Sequence, residues 1–368
     1  MLDGTSQPVT TNSLNHHRRG VSVKKMREIQ KFMVTRQLAT STFNAALQKF
    51  LVKRRGAGIS DYSMIHLYNS LYPMSVELNN PSLDVLTSRD VREYVERLWL
   101  RYAPGTMRPL IGDLKQFFGW CKKKGYTAKN LGNRLAKPRP RRNSFKAAYE
   151  TDVTAVINHL AAALSHRIYR DLFGNLVYDP AEAWCEADVL AMRDMFVVVF
   201  LYETGGRASE LAKLGAKTMD RVCQSNKAAY SVTSTGKTND RDLRFTNNVA
   251  DLWRVWSAVR PHQSEYAVYG LRPTHPPLPL TSNGLSQILV RRCDETKVTR
   301  FRCHALRHAK VRRARQLVGL EVASLLIDHS SVEMTRNYSN VDGDELAEAV
   351  VKTGLQHKLW GQKGEKVV

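Results

Sequence analysis

The sequence has few cysteines and no long apolar run. Its five cysteines are scattered and form no Cys-x-x-Cys pair, so we expect free thiols in a reducing compartment rather than a disulfide framework. No stretch approaches the roughly 18 apolar residues that a membrane helix needs. The polar stretch at residues 1–22 also lacks the apolar core of a secretory signal. These absences predict a soluble, cytoplasmic protein that does not enter a membrane.

Acidic side chains are also scarce relative to basic ones. The 368 residues carry 34 Asp and Glu against 56 Lys and Arg, a formal net charge of +22. Residues 1–150 hold 27 basic and 10 acidic side chains (net +17), whereas residues 151–368 hold 29 and 24 (net +5). This excess predicts a polyanionic partner, and its distribution indicates that the first part of the chain mainly grips phosphate.

Prolines, glycines and charge divide the chain into five predicted parts. These are a disordered polar tail (1–22), a helical basic domain (23–136), a basic proline-broken linker (137–146), a second domain (147–343), and a C-terminal helix and tail (344–368). The linker is interpreted either as a solvated tether or as a tether that also follows a phosphate backbone.

Apolar periodicity predicts a mainly helical fold with one hairpin. Helices are predicted over 23–53, from Leu86 to the break at 102–106, from that break to a stop at Gly125, and over 188–203, 304–318, 321–327 and 346–359. Thr87 or Ser88 is the expected N-cap of the second helix, and Gly125 the expected stop of the third. Residues 231–246 read as two strands around a Gly-Lys-Thr-Asn-Asp turn.

Clusters of basic residues are candidates for contact with DNA phosphates. The alternative is that they form solvated faces. The candidates are Lys122, Lys123, Lys124, Arg139, Arg141, Arg142, Arg312 and Arg313.

The second half also contains an ordered series of groups suited to phosphoryl chemistry. Arg207 lies in Thr-Gly-Gly-Arg-Ala-Ser-Glu-Leu, where two glycines allow a tight turn. His304 and Arg307 are three residues apart and share one helix face. The remaining members are Lys237 at the hairpin tip, with Arg241 and Arg244 as alternatives, His329 in Asp-His-Ser-Ser, and Tyr338 nine residues later. Taken singly, such residues are usually ion-pairing or core groups.

Taken together, these boxes resemble those of the tyrosine recombinase (phage integrase) family. The strings Thr-Gly-x-Arg-x-Ser-Glu-Leu, His-x-Leu-Arg-His and His-Ser-Ser…Tyr stand in the family's order, and residues 104–124 resemble the end of its helical core-binding domain. The resemblance implies a mainly α fold with a small antiparallel sheet. A helical core-binding (SAM-like) domain and a tyrosine-recombinase catalytic domain would together form a C-shaped clamp around duplex DNA.

The resemblance also implies a role for each matching residue. Tyr338 would attack a phosphodiester and form a 3′-phosphotyrosyl link, with Arg207 and Arg307 clamping the non-bridging oxygens. Lys237 would protonate the leaving 5′-oxygen, His304 would act in proton transfer, and His329 would hydrogen-bond the phosphate. Glu210 is interpreted as an ion-pair partner that holds an arginine.

No cofactor or metal is predicted. The protein itself would supply the positive charge, and Cys293, Cys303 and His304 match no standard zinc-ligand spacing.

The expected function is site-specific recombination in the integration, excision or transposition of a mobile element, or in the resolution of replicon multimers. A homotetramer would act on two DNA sites, with an accessory DNA-bending protein as a further partner, in association with the nucleoid. The helix at 346–359 would dock on a neighbouring protomer or on its own domain. Alternatives are a non-catalytic DNA-binding regulator on the same scaffold, a type IB topoisomerase or telomere resolvase, and an RNA-binding protein.

Overall fold

A computed structural model describes most of the chain. The described residues are 21–34, 41–139, 147–171, 176–178, 183–235, 240–271, 277–327, 343–355 and 360. The chain divides into two compact units, residues 1–143 and 144–368. The division falls within the predicted basic linker at 137–146. In the part of the chain that the structure describes, no helix is both long and apolar enough to cross a membrane.

The first unit is helical throughout its described residues. Its helices are α1 (Val21–Val34), α2 (Phe43–Gly56), α3 (Asp61–Glu77), α4 (Ser88–Trp99) and α5 (Pro104–Lys123). The prediction of one helical segment over 23–53 is wrong, because α1 and α2 are separate helices. The sequence analysis also missed α3, which carries Pro73 in its interior.

Local signals set the start of α4 and the end of α5 where the sequence predicted them. Thr87 is the N-cap of α4 in a capping box: its hydroxyl accepts from the Asp90 amide, and the Asp90 carboxylate accepts from the Thr87 amide at 2.8 Å. Pro104 opens α5, where its missing amide hydrogen leaves no bond unmade. Gly125 follows the C-cap of α5 with φ +75°.

Aromatic side chains from α2 and α5 fill the core of the first unit. The rings of Phe43 and Phe117 lie 4.9 Å apart between centroids, and those of Phe50 and Phe117 lie 5.5 Å apart in an edge-to-face arrangement. All three side chains are buried. This packing holds the basic C-terminal end of α5, Lys122 to Lys124, at the surface.

The second unit combines eight helices with two small antiparallel sheets among its described residues. The elements are α6 (Glu150–Leu164), β1 (Ile168–Arg170), β2 (Leu176–Tyr178), α7 (Glu186–Thr204), α8 (Ala208–Leu211), α9 (Ala216–Val222), β3 (Ala229–Thr235), β4 (Asp240–Thr246), α10 (Asn247–Val259), α11 (Ser282–Glu295), α12 (Cys303–Ile327) and α13 (Gly343–Thr353). The mainly α fold class with small antiparallel sheets is confirmed.

Helix α7 is the centre of the second unit. Every residue from Ala191 to Thr204 is buried, because α6, α10 and α12 pack around it. A helix that is apolar on all sides is stable in water only when neighbours enclose it. Its apolar run therefore marks the core, and the functional turn begins where α7 ends.

The hairpin of β3 and β4 has the predicted position. Tyr230 pairs with Phe245 and Ser234 pairs with Arg241 across the ladder. The Tyr230 and Phe245 rings stack at 5.5 Å on the core side. The register therefore places the Ser234–Arg241 pair near the tip, next to α8.

Two helices predicted near the C-terminus are confirmed, whereas the terminal helix differs from its predicted bounds. The helices predicted over 304–318 and 321–327 are the two parts of α12, which are separated at Gly319 (φ 80°), where the backbone is not helical. The terminal helix was predicted over 346–359, but α13 begins at Gly343 and ends at Thr353, and residues 356–359 lie outside the described residues. In this single chain, α13 packs on α12, β3 and β4 of its own unit.

We predict that Gly354→Ala destabilises the second unit. A Cβ at this position would overlap the Thr246 methyl group and crowd the Val350 carbonyl. The turn after α13 would have to shift, at a cost of about 1–3 kcal/mol in the free energy of unfolding. Urea unfolding followed by circular dichroism would measure the change.

The matched control is Gly284→Ala on α11. A Cβ there meets Thr281 and Leu280 at ordinary contact distances of 3.4 and 3.6 Å. We expect this variant to be as stable as the parent chain or slightly more stable, since Ala favours a helix over Gly. Equal stability of Gly354→Ala and the parent chain would contradict the prediction.

Candidate active site

The turn after α7 places Arg207 at the edge of the second unit. Gly205 has φ 58°, a left-handed conformation that favours glycine, and it ends the helix as the C-cap. The Thr204 hydroxyl donates to the Phe200 carbonyl at 2.6 Å and accepts from the Gly206 amide at 3.0 Å. Arg207 follows as the N-cap of α8, with 41% of its side chain exposed.

Glu210 fixes Arg207, as the sequence analysis interpreted it. The Arg207 amide donates to Oε2 at 2.6 Å and its Nη1 donates to Oε1 at 2.7 Å. The buried guanidinium of Arg241 on β4 lies 3.8 Å from the same Oε1, and the Ser234 hydroxyl is 3.5 Å from the Glu210 carbonyl oxygen. One carboxylate therefore joins the Arg207 turn to the β3–β4 hairpin.

Arg307 reaches the same turn from α12. Its side chain is buried and donates from Nη1 to the Gly205 carbonyl at 2.7 Å and from Nη2 to the Ile327 carbonyl at 3.1 Å. These carbonyls accept its hydrogen bonds and orient the guanidinium. Arg307 thus connects the end of α7 with the end of α12.

His304 lies one turn before Arg307 at the start of α12. His304 is exposed, and its ring packs edge to face on the His308 ring, with 4.5 Å between the ring centroids. Partial burial and the nearby Arg307 and Arg207 guanidiniums lower the pKa of His304 below its usual 6.5. The imidazole is therefore neutral at pH 7 and able to accept a proton.

Three of the six predicted catalytic residues lie outside the described residues. They are Lys237, His329 and Tyr338. The structure brings together the other three, since both arginines act on His304 and Arg307 binds the turn that precedes Arg207. Of the alternatives to Lys237, Arg241 is buried beside Glu210. Arg244 contacts the Asp242 carboxylate at 3.4 Å and the Leu325 carbonyl at 3.4 Å.

The predicted DNA-contacting residues have different surroundings. Those exposed in the structure are Lys122, Lys123, Lys124, Arg139 and Arg312, whereas Arg141 and Arg142 lie outside the described residues. Arg313 is partly buried, where it bonds to the Glu150 carboxylate and donates to the Gly354 carbonyl at 3.3 Å. Its charge is therefore matched within the chain.

Two buried charged groups next to the site were missed by the sequence analysis. Glu203, the penultimate residue of α7, accepts from the Thr246 amide at 2.8 Å and from the Leu355 amide at 3.2 Å. Lys310 on α12 is buried and donates to Thr353. The only available signal was the position of Glu203 at the end of an apolar run. The partners of Glu203 and Lys310 lie 43 or 152 residues away from them in the sequence.

Within the described residues, no group of three His, Cys, Asp or Glu side chains could hold a metal ion. Cys293 and Cys303 are buried in the core of the second unit, and the Cys303 sulfur lies 3.5 Å from the Ser286 hydroxyl.

We predict that Glu210→Gln destabilises the second unit by about 3 kcal/mol, the usual cost of breaking a buried ion pair. The amide keeps the shape of the side chain but removes the charge that matches Arg241. Urea unfolding would measure the loss. Asp294→Asn is the control, because its pair with Arg300 is exposed (44% and 69%) and should contribute less than about 1 kcal/mol. Losses of similar size in the two variants would contradict the prediction.

Comparison with known proteins agrees with this geometry. The phage integrase family model matches residues 179–345, a region that contains Arg207, Arg307 and the hairpin. A tyrosine recombinase XerC from Erythrobacter litoralis (strain HTCC2594) is 26% identical over 275 residues, which cover 73% of this chain and 79% of the relative.

Solved structures of recombinases share the fold. XerH site-specific recombinase bound to a palindromic difH substrate aligns with a TM-score of 0.58 and 16% identity, covering 92% of this chain and 90% of that one. A lambda integrase dimer bound to a COC′ core site aligns with a TM-score of 0.57 and 13% identity, covering 81% and 77%. Together with the family match over residues 179–345, these likenesses agree with the resemblance to the tyrosine recombinase (phage integrase) family seen in the sequence.

Proposed function

We propose that this chain is a site-specific recombinase that cleaves and rejoins duplex DNA through Tyr338. The observation that carries the proposal is the meeting of Arg207 and Arg307 at one turn, beside a neutral His304, although they are 100 residues apart in the sequence. The other three candidates, Lys237, His329 and Tyr338, lie outside the described residues. They fall inside the matched family region, in the order that the resemblance implies.

The proposed reaction needs no energy source besides the phosphodiester. The Tyr338 oxygen attacks phosphorus, its proton passes to His304, and the bond from phosphorus to the 5′-oxygen breaks as Lys237 gives that oxygen a proton. The products are a 3′-phosphotyrosyl link and a free 5′-hydroxyl. A 5′-hydroxyl from another strand reverses the step and releases Tyr338.

The two arginines would stabilise the charge that develops on phosphorus. Arg207 is 41% exposed and can reach a phosphate, and its guanidinium is already oriented by Glu210. Arg307 is oriented by the Gly205 and Ile327 carbonyls, and its guanidinium is always positively charged. Donors fixed before the reaction stabilise a transition state without reorganisation at the moment of bond breaking. His329 would add a further hydrogen bond.

Duplex DNA is the proposed substrate. The first unit carries most of the net charge and exposes Lys122, Lys123 and Lys124 at the end of α5. Arg139 and Arg312 are further exposed cations, whereas Arg313 is the weakest candidate because Glu150 already matches its charge. These residues would bind phosphates and give an affinity that falls with salt.

The biological role that fits this chemistry is integration, excision or transposition of a mobile element, or resolution of replicon multimers. It would involve a homotetramer on two DNA sites, an accessory DNA-bending protein, and reaction inside the cell at the nucleoid. A type IB topoisomerase or telomere resolvase would share the covalent step but act without a four-protomer synapse.

The first test of this function is a covalent trap. We expect the parent chain to form a denaturation-resistant complex with a duplex from its own element's end, nicked near the cleavage position so that the 5′-hydroxyl fragment diffuses away. We expect Tyr338→Phe to form none, because phenylalanine has no nucleophilic oxygen. Denaturing gel electrophoresis with labelled DNA measures both.

The outcomes separate the alternatives. Tight duplex binding without a covalent complex in the parent chain would support the non-catalytic regulator instead. A complex that persists in Tyr338→Phe would mean that another residue is the nucleophile. Preference for single-stranded RNA over duplex DNA would support an RNA-binding protein.

A second prediction concerns the proton donor. We expect Lys237→Ala to slow formation of the covalent complex by about 100-fold or more, the usual contribution of general acid catalysis. A substrate with sulfur in place of the bridging 5′-oxygen should restore the rate, because a thiolate leaves without a proton. Single-turnover kinetics measures both rates.

Arg244→Ala is the control for the proton donor. Its guanidinium contacts Asp242 and the Leu325 carbonyl, so we expect a smaller loss that sulfur does not restore. Rescue of Arg244→Ala but not of Lys237→Ala by sulfur would assign proton donation to Arg244.

A further inference from the structure

A buried lysine fastens the C-terminal helix to the second unit. Lys310 on α12 donates from Nζ to the Thr353 hydroxyl at 2.8 Å and to the Thr353 carbonyl at 3.0 Å. Thr353 is the last residue of α13 and is itself buried. The ammonium therefore binds a carbonyl that has no partner within its own helix, at the end where a cation is favourable.

The position of Lys310 requires a compensating interaction. Burial lowers its pKa from 10.5 to about 8, while the Glu203 carboxylate opposes that shift. Lysine is almost never fully buried unless it is paired. Here the ammonium is paired with the end of α13 and is stabilised by the negative charge of Glu203. The Glu203 carboxylate also accepts from the Leu355 amide at 3.2 Å. The two charged groups thus bind the chain on both sides of Gly354.

The stem of the same lysine touches the turn that holds the arginines. A Cβ built on Gly205 would lie 3.2 Å from Lys310 Cγ and 3.4 Å from its Cβ, so the stem packs directly on that residue. The Gly205 carbonyl is the acceptor of Arg307, which lies one helical turn before Lys310 on α12. Lys310 therefore contacts both the active-site turn and α13.

We propose that Lys310 is a positioning residue, which couples the seating of α13 to the Gly205 turn that orients Arg207 and Arg307. When α13 is packed on the second unit, Thr353 fixes the Lys310 ammonium, and the Lys310 methylene chain packs against Gly205. When α13 dissociates from the second unit, the Lys310 ammonium loses Thr353 as its partner, and the Lys310 methylene chain no longer has a fixed position. The effect on DNA cleavage rests on the proposed function, whereas the attachment of α13 does not.

Lys310→Met tests the attachment, because methionine keeps a long apolar stem but has no donor. We expect hydrogen-exchange protection of residues 343–355 to fall about tenfold or more, with protection of α7 and α10 unchanged. Thr353→Val, which removes the hydroxyl and keeps the carbonyl, should show a smaller loss in the same residues. Lys352→Met is the matched control, because Lys352 is an exposed lysine on α13. This variant should leave protection unchanged.

Single-turnover kinetics tests the coupling. With the nicked duplex above, Lys310→Met should form the covalent complex at least about tenfold more slowly at saturating DNA, if a misplaced arginine costs one charge-assisted hydrogen bond. Its dissociation constant for the same DNA should match that of the parent chain, since Lys310 is buried and contacts no DNA. A purely structural defect would weaken binding and cleavage together.

Each outcome decides the proposal. Parental exchange at 343–355 in both Lys310→Met and Thr353→Val would overturn the attachment. If Lys310→Met loses protection throughout the second unit, Thr353→Val alone decides the attachment, and parental exchange there overturns it. Lost protection with a parental cleavage rate would overturn the coupling. A parent chain that forms no covalent complex would refute the proposed function, and the exchange data would still test the attachment.

Discussion

The second unit depends on the burial of one guanidinium. Arg307 cannot be buried without hydrogen-bond acceptors, and it finds them at the Gly205 and Ile327 carbonyls, at the ends of two different helices. This requirement sets the distance between the turn after α7 and the end of α12. The helices that enclose α7 keep water away from these two hydrogen bonds of Arg307, which strengthens both. The group that joins these two helix ends is therefore also one of the candidate catalytic residues.

The charged side chains around the turn after α7 differ in their hydrogen-bond partners. Glu210 is shared between Arg207 and Arg241, and Arg307 is held by neutral carbonyls. Partial burial and the Arg307 and Arg207 guanidiniums lower the pKa of His304, so its imidazole is neutral at pH 7. In the proposed reaction, an anion at this turn would meet arginines that are already held in place, with the His304 imidazole beside them. The same side chains would then serve the structure and the binding of phosphate.

Features that depend on neighbours in sequence could be predicted, and those that depend on distant partners could not. The cap at Thr87 and the Gly125 stop need only adjacent residues, and the structure has them where predicted. Helix α3 was missed because Pro73 interrupts its pattern, although its ring is tolerated within the fold. The three-residue strands β1 and β2 are too short for alternation to be read from the sequence.

The candidate site shows the same division. Arg207, His304 and Arg307 were recognised because local strings carry them, and the pairing of Arg207 with Glu210 spans three residues. Arg313 was predicted to contact DNA because it lies in a basic run. Its partner Glu150 is 163 residues away, so nothing local revealed that its charge was matched. Glu203 and Lys310 were invisible for the same reason.

The stretch from Glu203 to Glu210 explains why these distant groups matter together. Glu203 binds β4 through the Thr246 amide and the C-terminal segment through Leu355, while Glu210 binds Arg207 and faces the hairpin. Between the two carboxylates, the chain must turn through Gly205 in a left-handed conformation. Because both ends of so short a stretch are fixed by buried charges, the turn has little freedom to absorb a shift on either side. If the proposed coupling holds, a change at the C-terminal segment or in the hairpin would be transmitted to Arg207 and Arg307.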